Sequence, residues 1–414
     1  MKPKLVVVSH VLPFPRNAGQ NQRVHYTLLA ARQVFHVTFL TASPADQQEA
    51  VRQRLLELCD DAIVLPSRYH TGPFRRLWHR TAGSGFAMLR GLKLSNYVVG
   101  VLEFGPRRIE AALDGHSFDV ALFEYWHACD ATSPFRKRGI PTVLDMHDIL
   151  WRSYDRQWAG RKIAPAGLKK RFVSSYRAQE ESAWRRFDAL VAINREELEY
   201  VRERVGGNAR LFFAPMGTDL DRWPYGPRPA YPLRVAYYGG LASARNREGA
   251  LQCANSIMPL IWTRHPEAEF WIVGSNPPPS LKALEADPRV KVTGTLEDPA
   301  EVLRTMACVL CPWEGAFGFR SRLIEVMSLG VPVVASPDAA AGMDLEAGQG
   351  IAYGVTPQDL AAEALRLMED ASFREAQGRA ARAQVERKYS LQNTYARLML
   401  DLQEWLASRK ESRA

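Results

Sequence analysis

Apolar positions along this chain fall into two kinds of stretch that alternate almost from end to end. Short unbroken runs at 5–9, 35–40, 62–65, 120–123, 142–144 and 189–193 have the length and aliphatic composition of strands covered on both faces. Segments with helical spacing, such as 22–33 and 51–58, lie between them. A second series follows, with strand-like runs at 233–238, 269–273, 290–293, 308–312 and 331–335, and helix-like segments at 248–262, 299–307 and 322–329. Strand, helix, strand in this rhythm predicts a parallel sheet wrapped by helices, made twice. Between the two series, residues 216–232 hold four prolines and two glycines and carry no periodic pattern.

The expected architecture is therefore α/β, with two doubly wound, Rossmann-like parallel-sheet domains facing a cleft. Residues 1–215 form the first domain, 216–232 the linker and 233–390 the second. Residues 391–414 place Tyr395, Leu398, Leu400, Leu402, Trp405 and Leu406 at helical spacing, which predicts a last helix packing back on the first domain. A length of 414 residues agrees, being too great for one core. Ligands of such sheets bind at the carboxyl ends of the strands, so the loops after the strands are where chemistry belongs.

Charge modifies this picture in one place. The net charge of +9 sits in residues 1–215, where 32 Lys and Arg face 21 Asp and Glu. No acidic residue occurs between Asp61 and Glu103, while Arg68, Arg75, Arg76, Arg80, Arg90 and Lys93 interleave with Tyr69, Phe74, Trp78, Phe86 and Tyr97. That mixture suits an anionic membrane surface at residues 68–97, the alternative being a solvated basic helix or loop. No nucleic-acid recognition module accompanies it, so nucleic acid is not an expected partner. No run nears the roughly 18 apolar residues of a membrane span, and the first apolar run is too short for a signal peptide. Five cysteines, an odd number, point to a reducing compartment. The expected location is cytoplasmic, with the basic segment able to hold the protein at the inner face of the membrane.

The most informative loop runs from Cys311 to Ser336. Gly315 and Gly318 open a turn after a strand, and a helix from Ser321 to Leu329 is closed by Gly330. A helix start after a glycine turn binds anions, because its first N–H groups lack internal partners and carry the positive end of the dipole. Arg320 and Arg322 add full charges there, and Glu314 and Glu325 are the nearby acids. Gly19 precedes a helix after the first strand. Gly239 and Gly240 follow the first strand of the second domain and permit backbone approach to a phosphate. In the first domain, His147 lies between Asp145 and Asp148 in a loop after a strand, suited to donating to a sugar hydroxyl or other substrate oxygen while held by a neighbouring Asp, the alternative being a structural histidine. Glu124 and His127 flank Tyr125 and Trp126 after another strand, as acceptor contacts or as core.

Several chemistries lack their signatures. Neither GxGxxG nor GxxxxGK[ST] occurs, and no nucleophile elbow, DxD pair or metal-ligand cluster is evident. Cys308 and Cys311 have CxxC spacing inside an apolar strand and read as buried thiols. No cofactor and no metal are expected.

Taken in order, LPFPRNAGQNQRVHYTLLA, FDVALFEYWHA, PTVLDMHDILWRS and RRFDALVAINREELEYV, then YYGGLASARNREGAL, FWIVGSNPPPSL, VKVTGTLEDP and GFRSRLIEVMSLGVPVVAS, make the chain resemble the family 4 glycosyltransferases of GT-B fold. Within that family the likeness is to a bacterial branch acting in polysaccharide or glycolipid assembly. The resemblance implies a nucleotide diphosphate sugar donor on the second domain, a glycan or lipid-linked acceptor on the first, and transfer with retention of configuration. It implies that Glu325 takes the ribose hydroxyls, that Arg320 and Arg322 meet the diphosphate, and that Gly19 lies near the donor phosphates. It also implies that His147 contacts the transferred sugar, and that Gly274 and Thr295 border the nucleobase. Two departures stand out. Relatives place a glutamate eight positions before Glu325, where this chain has Phe317, and Glu314 lies three residues too early. The Arg and Lys that relatives carry after the first strand of the second domain are replaced by Gly240 and Asn246, leaving Arg245 or Arg247 as substitutes. A nucleotide-sugar epimerase and a non-catalytic nucleotide-sugar or membrane-binding scaffold are the alternative readings.

Overall fold

The computed structural model describes all residues except 1, 17, 160–164, 208, 228–230, 316–318 and 413–414. They divide into two compact units, Met1–Pro215 with Tyr395–Ala414, and Met216–Thr394.

The first unit is built on seven strands: β1 (Lys4–Val8), β2 (His36–Ser43), β3 (Asp61–Pro66), β4 (Val120–Glu124), β5 (Thr142–Asp145), β6 (Ala189–Ala192) and β7 (Arg210–Phe213). Their order across the sheet is β3-β2-β1-β4-β5-β6-β7, and every neighbouring pair is parallel. The second unit has six: β8 (Arg234–Tyr238), β9 (Glu269–Val273), β10 (Val290–Gly294), β11 (Cys308–Cys311), β12 (Val333–Ala335) and β13 (Ile351–Tyr353). Their order is β10-β9-β8-β11-β12-β13, again parallel throughout. Two parallel sheets covered by helices are the architecture the hydrophobic pattern predicts. The edge strands β7 and β13 were not foreseen: unlike the equally short inner strands they are only partly buried, so they need no unbroken apolar run.

The central strands are buried on both faces. Leu5–Val8 in β1 and Ala236 and Val309 in β8 and β11 lie in the two cores, which is why their sequences read as unbroken apolar runs. The proline-rich stretch after Pro215 lies on the second unit over its described part. Trp223 is buried in that core and its carbonyl accepts from Arg382 at 3.0 Å. The helix Arg397–Glu411 packs on the first unit, where Trp405 meets Phe212 edge-on and Lys410 Nζ reaches Asp119 at 2.7 Å.

Both sheets reverse their winding at one point, between β1 and β4 in the first and between β8 and β11 in the second. Loops leaving neighbouring strands there diverge to opposite faces and leave a crevice. Among the described residues, the three non-glycines with positive φ all follow strands on this carboxyl edge: Tyr125 (72°) after β4, His147 (58°) after β5 and Asn276 (54°) after β9. Such backbone is costly for side chains with a Cβ, and it marks the edges where the candidate residues cluster.

Candidate functional site

In the second unit, β8 runs into Gly239 and Gly240, and the loop after β9 folds against them. Gly239 N donates to Val273 O at 3.1 Å and Leu241 N to Ser275 O at 3.0 Å. A Cβ on Gly274 would overlap the Gly239 carbonyl oxygen, so this position needs glycine. Beside these loops is a cavity of about 160 Å³ whose walls include Gly239, Gly240, Gly274, Ser275, Thr295, Arg222, Tyr238 and Arg322. It shares Tyr238 and Arg322 with a second cavity of about 190 Å³ bounded by Asn246, Trp313, Phe319 and Arg320. The helices Ala244–Gln252 and Ser321–Ser328 start from the loops after β8 and β11. Neither has a side-chain cap or an acid in its first turn, so both leave donors and positive potential at the crevice.

Glu325 is buried against Tyr238 and Arg322, the two residues the cavities share, and is only 4% exposed. Its Oε2 accepts from Tyr238 Oη at 2.9 Å and from Arg322 Nη1 at 2.7 Å, and Arg322 Nη1 also donates to Tyr238 Oη at 2.5 Å. Burial, then the charge of Glu325, pushes the Tyr238 phenol far above its ordinary range, so it stays a neutral donor. One carboxylate oxygen is thereby saturated, and Oε1 takes neither bond.

Arg320 and Arg322 part company in the structure. Arg322 lines both cavities with a side chain 43% exposed. Arg320 is buried, stacks its guanidinium 4.3 Å from the Trp313 ring, and donates to the carbonyls of Asp338 (2.8 Å), Ala339 (2.5 Å) and Gly315 (3.3 Å). Expected to meet a diphosphate, Arg320 instead ties the loop after β11 to the segment after β12. Glu314 is exposed and lines a third cavity with Arg245, Glu248 and Trp313, whose lining includes neither Gly274 nor Arg322. Gly318 lies outside the described residues.

In the first unit, parallel register sets Glu124 of β4 beside Asp145 of β5. Both are buried, and their charges are met inside the fold. Arg23, itself buried, reaches Asp145 with Nε at 2.9 and 2.7 Å and donates through Nη1 to Ala214 O at 3.1 Å. His147 Nε2 hydrogen bonds to Glu124 Oε2. Glu124, expected to contact an acceptor, is 1% exposed and holds the imidazole instead. His147 was expected to be held by a neighbouring aspartate. Asp145 does accept from the His147 backbone N–H at 3.4 Å, but the imidazole itself is held by a glutamate 23 residues away, while Arg23 engages the Asp145 carboxylate. Burial, then the charge of Asp145, raises the Glu124 carboxyl while His147 opposes the rise. Asp145 and Glu124 with His147 place ligand atoms within 4.8 Å of one another, but Arg23 supplies the positive charge a cation would bring.

Aromatic rings cover this pair. Tyr125 stacks on His147 with centroids 4.1 Å apart and planes 15° apart. His127 lies 5.9 Å from Tyr125 and 5.8 Å from His10, with Nε2 3.3 Å from Tyr176 Oη. Burial, then His10 and Lys93, pushes the His127 imidazole well below its ordinary range, so it is neutral. Gly19 opens the helix Gly19–Val34, exposed and without a side-chain cap, and Gln20, the next residue, accepts through Oε1 from Tyr125 Oη at 3.2 Å. Gly19, His127 and His147 thus gather at the β1/β4/β5 edge. Gly239, Gly240, Gly274, Thr295 and Arg322 gather at the β8/β9/β11 edge with Glu325. Tyr238, Tyr125, Arg23 and Arg222 were missed as site residues. Tyr238 adjoins the paired glycines and was readable as a strand-end polar group, whereas Arg23 sits 122 positions from its partner.

Comparison with known proteins agrees with this construction. Residues 18–217 match the family model described as a glycosyl transferase 4-like domain, and residues 232–370 match the one described as glycosyl transferases group 1. No curated protein matches the chain. Among solved structures, a sucrose-phosphate synthase from Thermosynechococcus elongatus is similar with a TM-score of 0.67 at 16% identity, covering 99% of this chain and 100% of that one. The Anabaena protein HepE in complex with UDP-glucose gives 0.60 at 14%, covering 97% and 99%. A glycosyltransferase from Rickettsia africae gives 0.61 at 12%, covering 98% and 99%. Two glycosyltransferase domains in tandem, each on its own parallel sheet, make this chain a glycosyltransferase enzyme of the GT-B fold.

Proposed function

We propose that the enzyme moves a sugar from a nucleotide diphosphate sugar, UDP- or GDP-linked, to a hydroxyl of a glycan, lipid-linked or small-molecule acceptor, with retention at the anomeric carbon, in a retaining family 4 manner. The observation that carries this reading is the buried Glu325, held by Tyr238 and Arg322, which themselves line a glycine-walled cavity. A carboxylate with one oxygen fixed and the other turned elsewhere suits a pair of ribose hydroxyls. Gly239, Gly240 and Gly274 let phosphates approach the backbone, and Thr295 borders the base. UDP is the first nucleotide to test, because HepE of the same fold was solved with UDP-glucose.

In sugar transfer the anomeric carbon gains positive character while negative charge builds on the leaving diphosphate. Arg322 and the two uncapped helix starts are the groups we assign to that charge, with Arg320 holding the loop that positions them. His147 orients the transferred sugar, and Glu124 fixes the imidazole's direction. A leaving phosphate oxygen that deprotonates the acceptor hydroxyl requires no enzymatic nucleophile and no metal. Neither Glu314 nor Gly318 is needed for these steps. Thermal shift against UDP, GDP and their sugars is the first test, since a ligand selective for the folded state raises its melting temperature. Product NMR then reads the anomeric configuration. Inversion would remove the retaining assignment, and sugar interconversion without acceptor would favour an epimerase.

A further inference from the structure

The helix Pro73–Arg90 turns its apolar side away from the protein. Its packed side is narrow and made of small residues: Gly83 and Ala87 are buried, and a Cβ on Gly83 would collide with Leu94 and Tyr97. The opposite side carries Phe74, Leu77, Trp78, Met88 and Leu89, whose successive spacings of three, one, ten and one form a single stripe on a 3.6-residue helix. Phe74 is 88% exposed, Trp78 69% and Leu89 86%. Thr81 and Gly85 continue the stripe without interrupting it by a charge. Lys93 and Tyr97, which the sequence grouped with this surface, turn inward. Lys93 Nζ lies 4.6 Å over the Tyr154 ring, and Tyr97 packs on Gly83 and Phe86.

Isolated apolar side chains on a surface are ordinary, but a continuous stripe along one helix face needs an occupant. The charge beside it says which. Arg75 and Arg80 flank the stripe on either side, Arg76 and Arg90 lie toward the side of Gly83 and Ala87, Arg68 lies just before the helix, and no acid occurs from residue 62 to 102. A protein partner or a second copy of the chain gives no reason to exclude every acid over so long a stretch, whereas an anionic headgroup layer does. No helix among the described residues is long and apolar enough to cross a membrane, and 18 residues laid flat extend about 27 Å. We infer that the helix Pro73–Arg90 lies in the interface of an anionic bilayer, with Phe74, Leu77, Trp78, Met88 and Leu89 inserted among the acyl chains and Arg75 and Arg80 on the phosphates. This deepens the proposed function by giving the acceptor a place, and rests on it only there. Bilayer binding itself does not depend on sugar transfer.

The test is vesicle flotation of the full chain with phosphatidylcholine vesicles, with and without one-fifth phosphatidylglycerol. Wild type floats with the anionic vesicles, and tryptophan emission shifts to the blue by a component that Trp78→Phe removes. Phe74→Glu with Trp78→Glu lowers partitioning at least roughly tenfold, since two inserted side chains are replaced by charges the lipid repels. Both positions are exposed, so an unchanged melting temperature and unchanged nucleotide-induced thermal shift verify folding. Sodium chloride at about 0.5 M weakens binding without abolishing it, because only the arginine part is screened. No flotation at low salt, or equal flotation of the double variant, overturns the inference. So does a double variant that converts a dimer to a monomer without altering flotation. Loss of sugar transfer with intact flotation would instead count against the proposed function alone.

Discussion

Replacing Glu325 by glutamine probes the ribose assignment with little disturbance of shape. In the ligand-free protein, the glutamine keeps an oxygen that can accept from Tyr238, and only the ion pair with Arg322 is lost. The Arg322 side chain is 43% exposed and rehydrates, so the stability cost belongs to the class of partly exposed ion pairs, up to about 1 kcal/mol. Toward a nucleotide the change is larger, because a charge-assisted hydrogen bond to a carboxylate contributes about 1.5–3 kcal/mol, or about 10- to 150-fold in Kd. The assay is a two-by-three comparison by calorimetry: wild type and Glu325→Gln, each with the preferred nucleoside diphosphate and with its 2′-deoxy and 3′-deoxy analogues. Wild type should discriminate against at least one deoxy analogue by about tenfold or more, and the variant should lose most of that discrimination. Equal losses for all three ligands would give no coupling between Glu325 and the ribose hydroxyls, and the assignment would fall.

The two neighbouring arginines should behave differently. Arg322→Ala weakens a nucleoside diphosphate by about tenfold or more relative to the free nucleoside, by the same calorimetry. Arg320→Ala lowers the urea unfolding free energy by about 3 kcal/mol, because the carbonyls of Asp338 and Ala339 lose a charged donor; a variant as stable as wild type would contradict the structural role. Arg23→Met leaves Asp145 buried without its cation and costs about 3–5 kcal/mol, read from the same denaturation curves. Glu124→Gln should lower turnover roughly tenfold with donor affinity unchanged, since it loosens His147 without touching the second unit's cavity. Glu180 supplies a pH test. Burial pushes its carboxyl up to about 8, so between about 4.5 and 8 the folded state holds a proton the unfolded state has released. Stability contributed by that proton is present at low pH and falls as pH rises, by up to about 1.4 kcal/mol per unit. Glu180→Gln should flatten the decline in melting temperature from pH 5 to 8, and parallel curves would refute the linkage.

Much of the fold was legible because buried parallel strands need unbroken apolar runs, and both central strands of each sheet have them. Glu325 was legible through its place on a helix that follows a glycine turn. What sequence spacing could not show was where each charge turns. Arg320 and Arg322 are two residues apart and look equivalent, yet one donates to carbonyls beyond the next strand and the other faces a cavity. Glu124 looked like a loop acid, but parallel register sets it against Asp145 and buries both. In the helix Pro73–Arg90, interleaved arginines and aromatics signalled an anionic surface. Its outward apolar stripe follows only from the packing of Gly83 and Ala87, a contact the local pattern does not specify.

If the second unit holds a nucleotide diphosphate sugar for glycosyl transfer, a panel of nucleotide sugars incubated with and without glycan or lipid extract should release free UDP or GDP. Release should rise with acceptor for at least one donor, and should fall at least roughly tenfold in Glu325→Gln. Release from no donor under any acceptor, or release indifferent to Glu325, would contradict this reading.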